Sequence, residues 1–179
     1  MVYVFLANGF EETEALVTVD LLRRAGLEVE TVGIGGKTVC GSHGIAVAAD
    51  VADSAFVAKD VEAIVLPGGM PGTRHLEASA LVQDMLKLAV KENSFIAAIC
   101  AAPSVLGHAG LLSGKRATCY PGFESALTGA TVVDEPAVRD GNIITGKGAG
   151  AVFDFSFAII RALCGEEQAI TVKEAMQCK

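Results

Sequence analysis

Strand and helix signals alternate from one end of this chain to the other, and that alternation predicts an α/β protein: a flavodoxin-like, three-layer sandwich whose mainly parallel sheet carries helices on both faces. Two further observations support it. The short runs at residues 63–66 and 95–99 are wholly apolar, as buried strands are. No linker, repeat or low-complexity block divides the 179 residues, so residues 1–179 are expected to form a single domain.

The elements follow in order. Residues 2–6 form a β-type run. Residues 11–25 carry helical periodicity through Ala15, Leu16, Val19, Leu22 and Ala25, stopped by Gly26. Residues 29–34 read as a second strand, and a Gly35-Gly36 turn leads to a strand pair or hairpin over 39–49. The strand at 63–66 halts at Pro67-Gly68-Gly69. Residues 81–90 are helical, and the strand 95–99 runs into a helix that ends near Ala109, with Gly110 as its stop. Residues 116–119 and 131–133 are short strands. Residues 137–139 and 142–145 flank the hairpin signal Asp140-Gly141. A glycine-rich stretch, 146–150, opens a long apolar helix to Leu163, and a last helix follows Gly165.

Composition narrows the function. A net charge of −7, with no basic run, disfavours nucleic acid as a partner. No apolar stretch is long enough to span a bilayer, and residues 1–6 read as a first strand in place of a signal peptide. The five cysteines are odd in number and contain no C-x-x-C pair, which disfavours a disulfide framework and a zinc site. A reducing cytoplasm is the expected location, and no metal is expected.

Sites in parallel sheets form beyond the carboxyl ends of the strands. Three candidate features fall there: residues 8–14, residues 67–72, and Cys100-Ala101. Cys100 ends an apolar strand and precedes a helix start with Pro103 in its first turn, so the turn lifts the thiol out of the sheet, as in a nucleophile elbow. The helix N-terminus is expected to stabilise the thiolate and to offer N–H groups to a developing oxyanion. Cys40, Cys119, Cys164 and Cys178 lack this context and read as small hydrophobes.

Glu11, Glu12 and Glu14 open the first helix, where the macrodipole favours carboxylates. Neighbours on a helix diverge, so not all three point the same way, and spacing alone does not choose the one that faces the thiol. Glu11 and Glu12, wherever not chosen, are expected to contribute helix-end electrostatics on the order of 1 kcal/mol or less. A carboxyl beside the thiol in an apolar pocket has its pKa raised and can give and take protons. Gly68 and Gly69 read equally as a plain turn or as backbone N–H groups that approach a substrate oxygen. Gly146-x-Gly148-x-Gly150 lacks the acidic residue of a dinucleotide site and reads as tight backbone packing. His43, His75 and His108 give no Cys-His pair at this spacing; His75 falls in the loop or helix after Gly69 and is read first as a solvated loop histidine.

Residues 98–103 (Ala-Ile-Cys-Ala-Ala-Pro), 66–69 (Leu-Pro-Gly-Gly) and 11–14 (Glu-Glu-Thr-Glu) together resemble the ThiJ/PfpI superfamily, nearest its branch of the parkinsonism-associated deglycase and the bacterial YajL chaperone-like proteins. The similarity spans essentially the whole chain. It implies a homodimer, assigns the nucleophilic or oxidisable thiol to Cys100, selects Glu14 among the carboxylates, and puts the amides of Gly69 and Ala101, with Gly68 and Tyr120 nearby, around the substrate. It implies no cofactor. Where the branch commonly carries His before Pro near the sulfur, this chain has Tyr120-Pro121, a poor base at neutral pH, so proton transfer falls to Glu14. Ala101 stands where the protease branch has His directly after the cysteine, which excludes peptidase chemistry from the expectation.

Two functions remain open on these residues. One is a glutathione-independent glyoxalase or deglycase-type enzyme acting on a small 2-oxoaldehyde of the methylglyoxal class. The other is a redox-sensing or chaperone-like stress protein whose Cys100 is oxidised to sulfinate.

Overall fold

The computed structural model describes residues 1–178. β1 (Val2–Ala7) is an interior strand of a seven-stranded sheet and is buried along its whole length. Its side chains divide by parity, as a strand requires. Val2, Val4 and Leu6 join one core with α1 (Glu12–Arg24), α5 (Val152–Cys164) and α6 (Glu166–Ala175). Tyr3, Phe5 and Ala7 join the other, built with α3 (Ala80–Glu92), Leu76 of α2 (Gly72–Ala78) and α4 (Pro103–His108). A sheet covered on both faces explains why its strands read as apolar runs without alternation.

β1 pairs in parallel with β2 (Val29–Ile34) on one side and β6 (Ala63–Leu66) on the other. β2 continues to β5 (Val51–Ala52). β6 continues in parallel to β7 (Phe95–Ile99) and then β11 (Ile143–Gly146), and β10 (Ala137–Asp140) closes that edge antiparallel. The order is therefore β5-β2-β1-β6-β7-β11-β10. The chain moves outward from β1 to β5, then returns to the far side of β1, so a topological switch point lies between β1 and β6.

The sheet's margin holds β3 (Thr38–Cys40) and β4 (Ala46–Ala48), the expected hairpin, and a separate parallel pair of β8 (Arg116–Ala117) and β9 (Thr131–Val132). Two elements escaped the sequence pattern: β5, of two residues, and α2, which starts at Gly72 with neither a capping side chain nor an acidic first turn. The strand expected at 116–119 stops at Ala117, before Cys119 and Tyr120. Of the glycines at 146–150, Gly146 packs tightly, since a Cβ there would lie 2.8 Å from Ile99 and 2.9 Å from Phe155, whereas Gly150 faces open space with nothing within 4 Å, so the expected tight packing does not extend over the whole stretch. Among the described residues, no helix is long and apolar enough to cross a membrane.

Candidate active site around Cys100

Cys100 follows β7 directly and adopts φ +66°, a left-handed conformation that costs a non-glycine residue on the order of 1–2 kcal/mol. The fold holds it there from both sides: its N–H donates to the Gly146 carbonyl at 2.9 Å, and its carbonyl accepts the Tyr120 N–H at 2.8 Å. The strained turn aims the side chain away from the sheet, as the sequence predicts. Pro103 begins α4 as expected, but α4 has only six residues, so little macrodipole reaches the sulfur.

β6 delivers the opposing wall. Gly68 lies so close that a Cβ there would sit 2.6 Å from the Cys100 Cβ and 2.7 Å from Glu14 Oε2. Gly69, at φ +89°, packs its backbone on Gly9, Phe10 and Glu11, and the Glu11 N–H donates to the Gly68 carbonyl at 2.9 Å. These contacts need glycine at both positions. The plain-turn reading of Gly68-Gly69 therefore yields to a close approach of backbone to thiol.

α1 supplies the carboxyl. Glu14, only 1% exposed, accepts the Gly68 N–H on Oε2 at 2.8 Å. Its Oε1 is buried without a conventional hydrogen bond, and the polar group facing the carboxyl is the Cys100 thiol. Burial raises the Glu14 pKa to about 7; the Gly68 N–H and the thiol lower it, and the Glu11 charge adds to the rise. Cys100 is pushed up to about 12 by burial, then by the Glu14 charge and hydrogen bond, while the N–H groups of Ala101 and Gly69 pull it down. The expected low-pKa thiol is thus corrected. Beside a charged Glu14 the sulfur keeps its proton, because a buried anion pair is disfavoured, so the pair holds two protons below about pH 7 and one above it.

Glu12 overturns a second expectation. It is more than a helix-end charge: it is a buried clamp, with a side chain 6% exposed. Oε1 accepts the His43 N–H at 2.8 Å and the Ile45 N–H at 3.3 Å, and Oε2 meets the Ser42 hydroxyl at 3.3 Å and His43 Nδ1 at 3.0 Å. Burial alone would raise its pKa, yet these bonds win and hold it at about 2. The clamp ties the β3–β4 turn to the start of α1, and Gly41 is glycine because a Cβ would overlap the Glu12 carboxyl. No sequence spacing signals a contact between residues 30 or so positions apart. Donor atoms of Glu11, Glu12 and His43 lie within 4.8 Å of one another, the one metal-compatible group among the described residues, and the turn already uses both Glu12 oxygens.

The structure brings together Cys100, Glu14, Gly68, Gly69 and Ala101. Of Tyr120 it brings only the backbone: the ring is half exposed and lies along Gly148, 3.2 Å from where a Cβ there would be. His75 is on a helix, not a loop, and its Nδ1 lies 2.8 Å from the Asn8 carbonyl. His108 pairs with Glu77.

The DJ-1/PfpI family pattern matches residues 1–162. The chain belongs to the DJ-1/PfpI family. Within it, Drosophila melanogaster "Protein dj-1beta" is 37% identical over 176 residues, which cover 97% of this chain and 94% of that protein. The crystal structure of Drosophila DJ-1beta covers 99% of this chain and 97% of its own at a TM-score of 0.94 and 35% identity. The Caenorhabditis elegans "Glutathione-independent glyoxalase DJR-1.2" is 35% identical over 160 residues, 88% of this chain and 85% of that protein. A structure of "Toxoplasma gondii DJ-1, oxidized" has a TM-score of 0.94 at 34% identity, covering 99% and 97% of the two chains. The DJ-1/PfpI membership agrees with the flavodoxin-like sandwich and with a resemblance carried by three short motifs.

Proposed function

We propose that this DJ-1/PfpI protein converts small 2-oxoaldehydes of the methylglyoxal class to 2-hydroxy acids, using Cys100 as nucleophile and Glu14 as the proton carrier. The observation that supports it most is the meeting of one thiol, one carboxyl of pKa about 7 and two inward N–H groups, of Gly69 and Ala101, at the switch point of the sheet. A relative named as a glutathione-independent glyoxalase supports the same class of chemistry.

The scheme balances with water as the only co-reactant. The Cys100 sulfur adds to the aldehyde carbon while its proton passes to Glu14, and the new alkoxide meets the Gly69 and Ala101 N–H groups. Glu14 returns that proton to the alkoxide oxygen, giving a hemithioacetal. Glu14 then takes the C1 proton, and protonation at C2 turns the enediol into a 2-hydroxy thioester. Water cleaves the C–S bond, releases the 2-hydroxy acid and restores the thiol. Each step uses Glu14 in both protonation states, which a pKa near neutrality makes accessible.

The test is lactate formation from methylglyoxal by the purified protein, wild type against Cys100→Ser and Glu14→Gln. Loss in both variants is expected. Wild-type turnover in Cys100→Ser overturns the reading.

One observation favours a second reading on the same atoms. A protonated Glu14 and the two N–H groups are donors placed to hold the oxygens of a Cys100 sulfinate. Peroxide treatment followed by peptide mass analysis tests it: the reading expects a gain of two oxygens at Cys100 before any other cysteine, and fails if Cys40 oxidises first.

A further inference from the structure

A second cavity, of about 670 Å³, opens over the carboxyl ends of β1, β2 and β5, between Asn8, Ile34 and Asp53 on the sheet side and the α2–α3 segment on the other. We propose that it binds a neutral, polyhydroxylated ligand: a ribose or hexose ring that presents vicinal hydroxyls. Nothing in the chemistry at Cys100 uses this cavity, and the two stand or fall separately.

Three polar side chains in the lining have their roles fixed by bonds behind them. His75 Nδ1 lies 2.8 Å from the Asn8 carbonyl, which only accepts, so Nδ1 carries the hydrogen and Nε2 of the neutral ring is left as an acceptor. Asn8 Oδ1 accepts the Cys40 N–H at 2.9 Å, which leaves the Asn8 amide NH₂ as a free donor. Asp53 accepts the Gly35 N–H on Oδ2 and the Ser54 N–H on Oδ1, each at 2.9 Å, and a carboxylate so oriented keeps two lone pairs. Such locking of a side chain from behind is what positions a binding group in advance.

The class of ligand follows by elimination. Among the described residues lining the cavity there is no Lys or Arg, and Asp53 repels anions, so a phosphate or carboxylate has no partner. A single carboxylate with no second acid is a poor seat for a divalent cation. Ile34 and Leu81 supply an apolar surface. Two locked acceptors and one locked donor, with the hydroxyls of Ser54 and Ser79 also in the lining, beside an apolar surface match a sugar ring, whose hydroxyls donate to Asp53 and His75, accept from Asn8, and whose C–H face lies on the apolar side. The position beyond the strand ends is where open α/β sheets take ligands.

The test follows backbone amide shifts of the full chain on titration with methyl β-D-ribofuranoside, methyl α-D-glucopyranoside and adenosine. None of these has a free aldehyde, so none reacts with Cys100. Saturable shifts at Gly35, Ser54 and Ala80 are expected, with a Kd on the order of 1 mM. His75→Leu should weaken binding about tenfold, the loss of one hydrogen bond. Asn8→Ser, which keeps a small polar side chain, serves if His75→Leu does not fold. Binding by adenosine together with the ribofuranoside identifies a ribose, and binding by the glucopyranoside identifies a hexose; both support the proposal, whereas binding by adenosine alone places recognition on the base and overturns it. Shifts confined to Gly69 and Ala101, no saturable shift with any probe, or binding undiminished in the variant overturns it.

Discussion

The Gly68 N–H donates to Glu14 Oε2 at 2.8 Å, and this bond joins the carboxyl of α1 to the backbone that faces Cys100. It spends one carboxyl oxygen on the fold and leaves the other, Oε1, buried without a conventional partner, in a carboxyl that faces the Cys100 thiol. A buried acceptor left open is a cost, tolerated where it serves chemistry.

Glu14→Gln separates proton transfer from structure. The amide oxygen still accepts the Gly68 N–H, so the fold is expected to persist. Turnover of methylglyoxal should fall by about a hundredfold or more. The thiol should move the other way: with the Glu14 charge gone, its pKa drops from about 12 and alkylation at neutral pH speeds up. Iodoacetamide kinetics against lactate formation check both. Slower alkylation in the variant contradicts the assigned cause.

Stability should carry the mark of the same carboxyl. Glu14 titrates at about 7 when folded and near 4.5 when unfolded, so the folded state binds its proton more tightly. Its contribution is therefore fully present below about pH 4.5 and is lost as pH rises through about 7, a change of about 3 kcal/mol. Denaturant unfolding of wild type and Glu14→Gln between pH 5 and 8 measures it. The difference between the two should shift with pH in that direction; a flat difference contradicts the burial of Glu14 as its cause.

Much of this was legible in the residues, for physical reasons. Buried strands of a sheet covered on both faces must be apolar runs, so β1, β6 and β7 show themselves. A cysteine between an apolar strand and a helix-starting proline marks the elbow. What failed depends on distance in space. The thiol pKa is raised by burial and then by Glu14, 86 positions away in sequence and adjacent in the fold, and these outweigh the N–H groups of Ala101 and Gly69 that lower it. Tyr120 is near Cys100 through its backbone, which a residue type does not announce. Glu12 shows its role only once the β3–β4 turn is in place.

Glu12→Gln should destabilise the protein by about 2–3 kcal/mol, above the 1 kcal/mol expected of a helix-end charge. The amide keeps one acceptor oxygen for two N–H donors, and its NH₂ replaces the oxygen that meets Ser42 and His43. Chemical denaturation near neutral pH checks the magnitude. A loss below about 1 kcal/mol returns Glu12 to a helix-end role.

Leu16 on α1 and Phe153 on α5 are 38% and 39% exposed, on helices that pack against one another. With the family resemblance, these apolar side chains lead us to expect a homodimer. Light scattering at micromolar concentration should give twice the 18.4 kDa chain mass. A monomer mass refutes the expectation.

Gly68→Ala tests the geometry of the site without touching its chemical groups. The added methyl would sit 2.6 Å from the Cys100 Cβ, 2.7 Å from Glu14 Oε2 and 2.9 Å from the Ile99 carbonyl, all closer than van der Waals contact. The cheapest relief moves Glu14 and the thiol apart, since Ile99 is fixed in the sheet. A misplacement on the order of 1 Å in a proton-transfer site costs about a hundredfold in rate. The far-ultraviolet circular dichroism should stay native, because Gly68 lies beyond the end of β6 and its own N–H serves Glu14 and not the sheet. The alkylation rate of Cys100 should rise, as separation weakens the Glu14 charge that holds the thiol pKa up. Native turnover in Gly68→Ala would mean that the Glu14–Cys100 approach is not what the reaction needs.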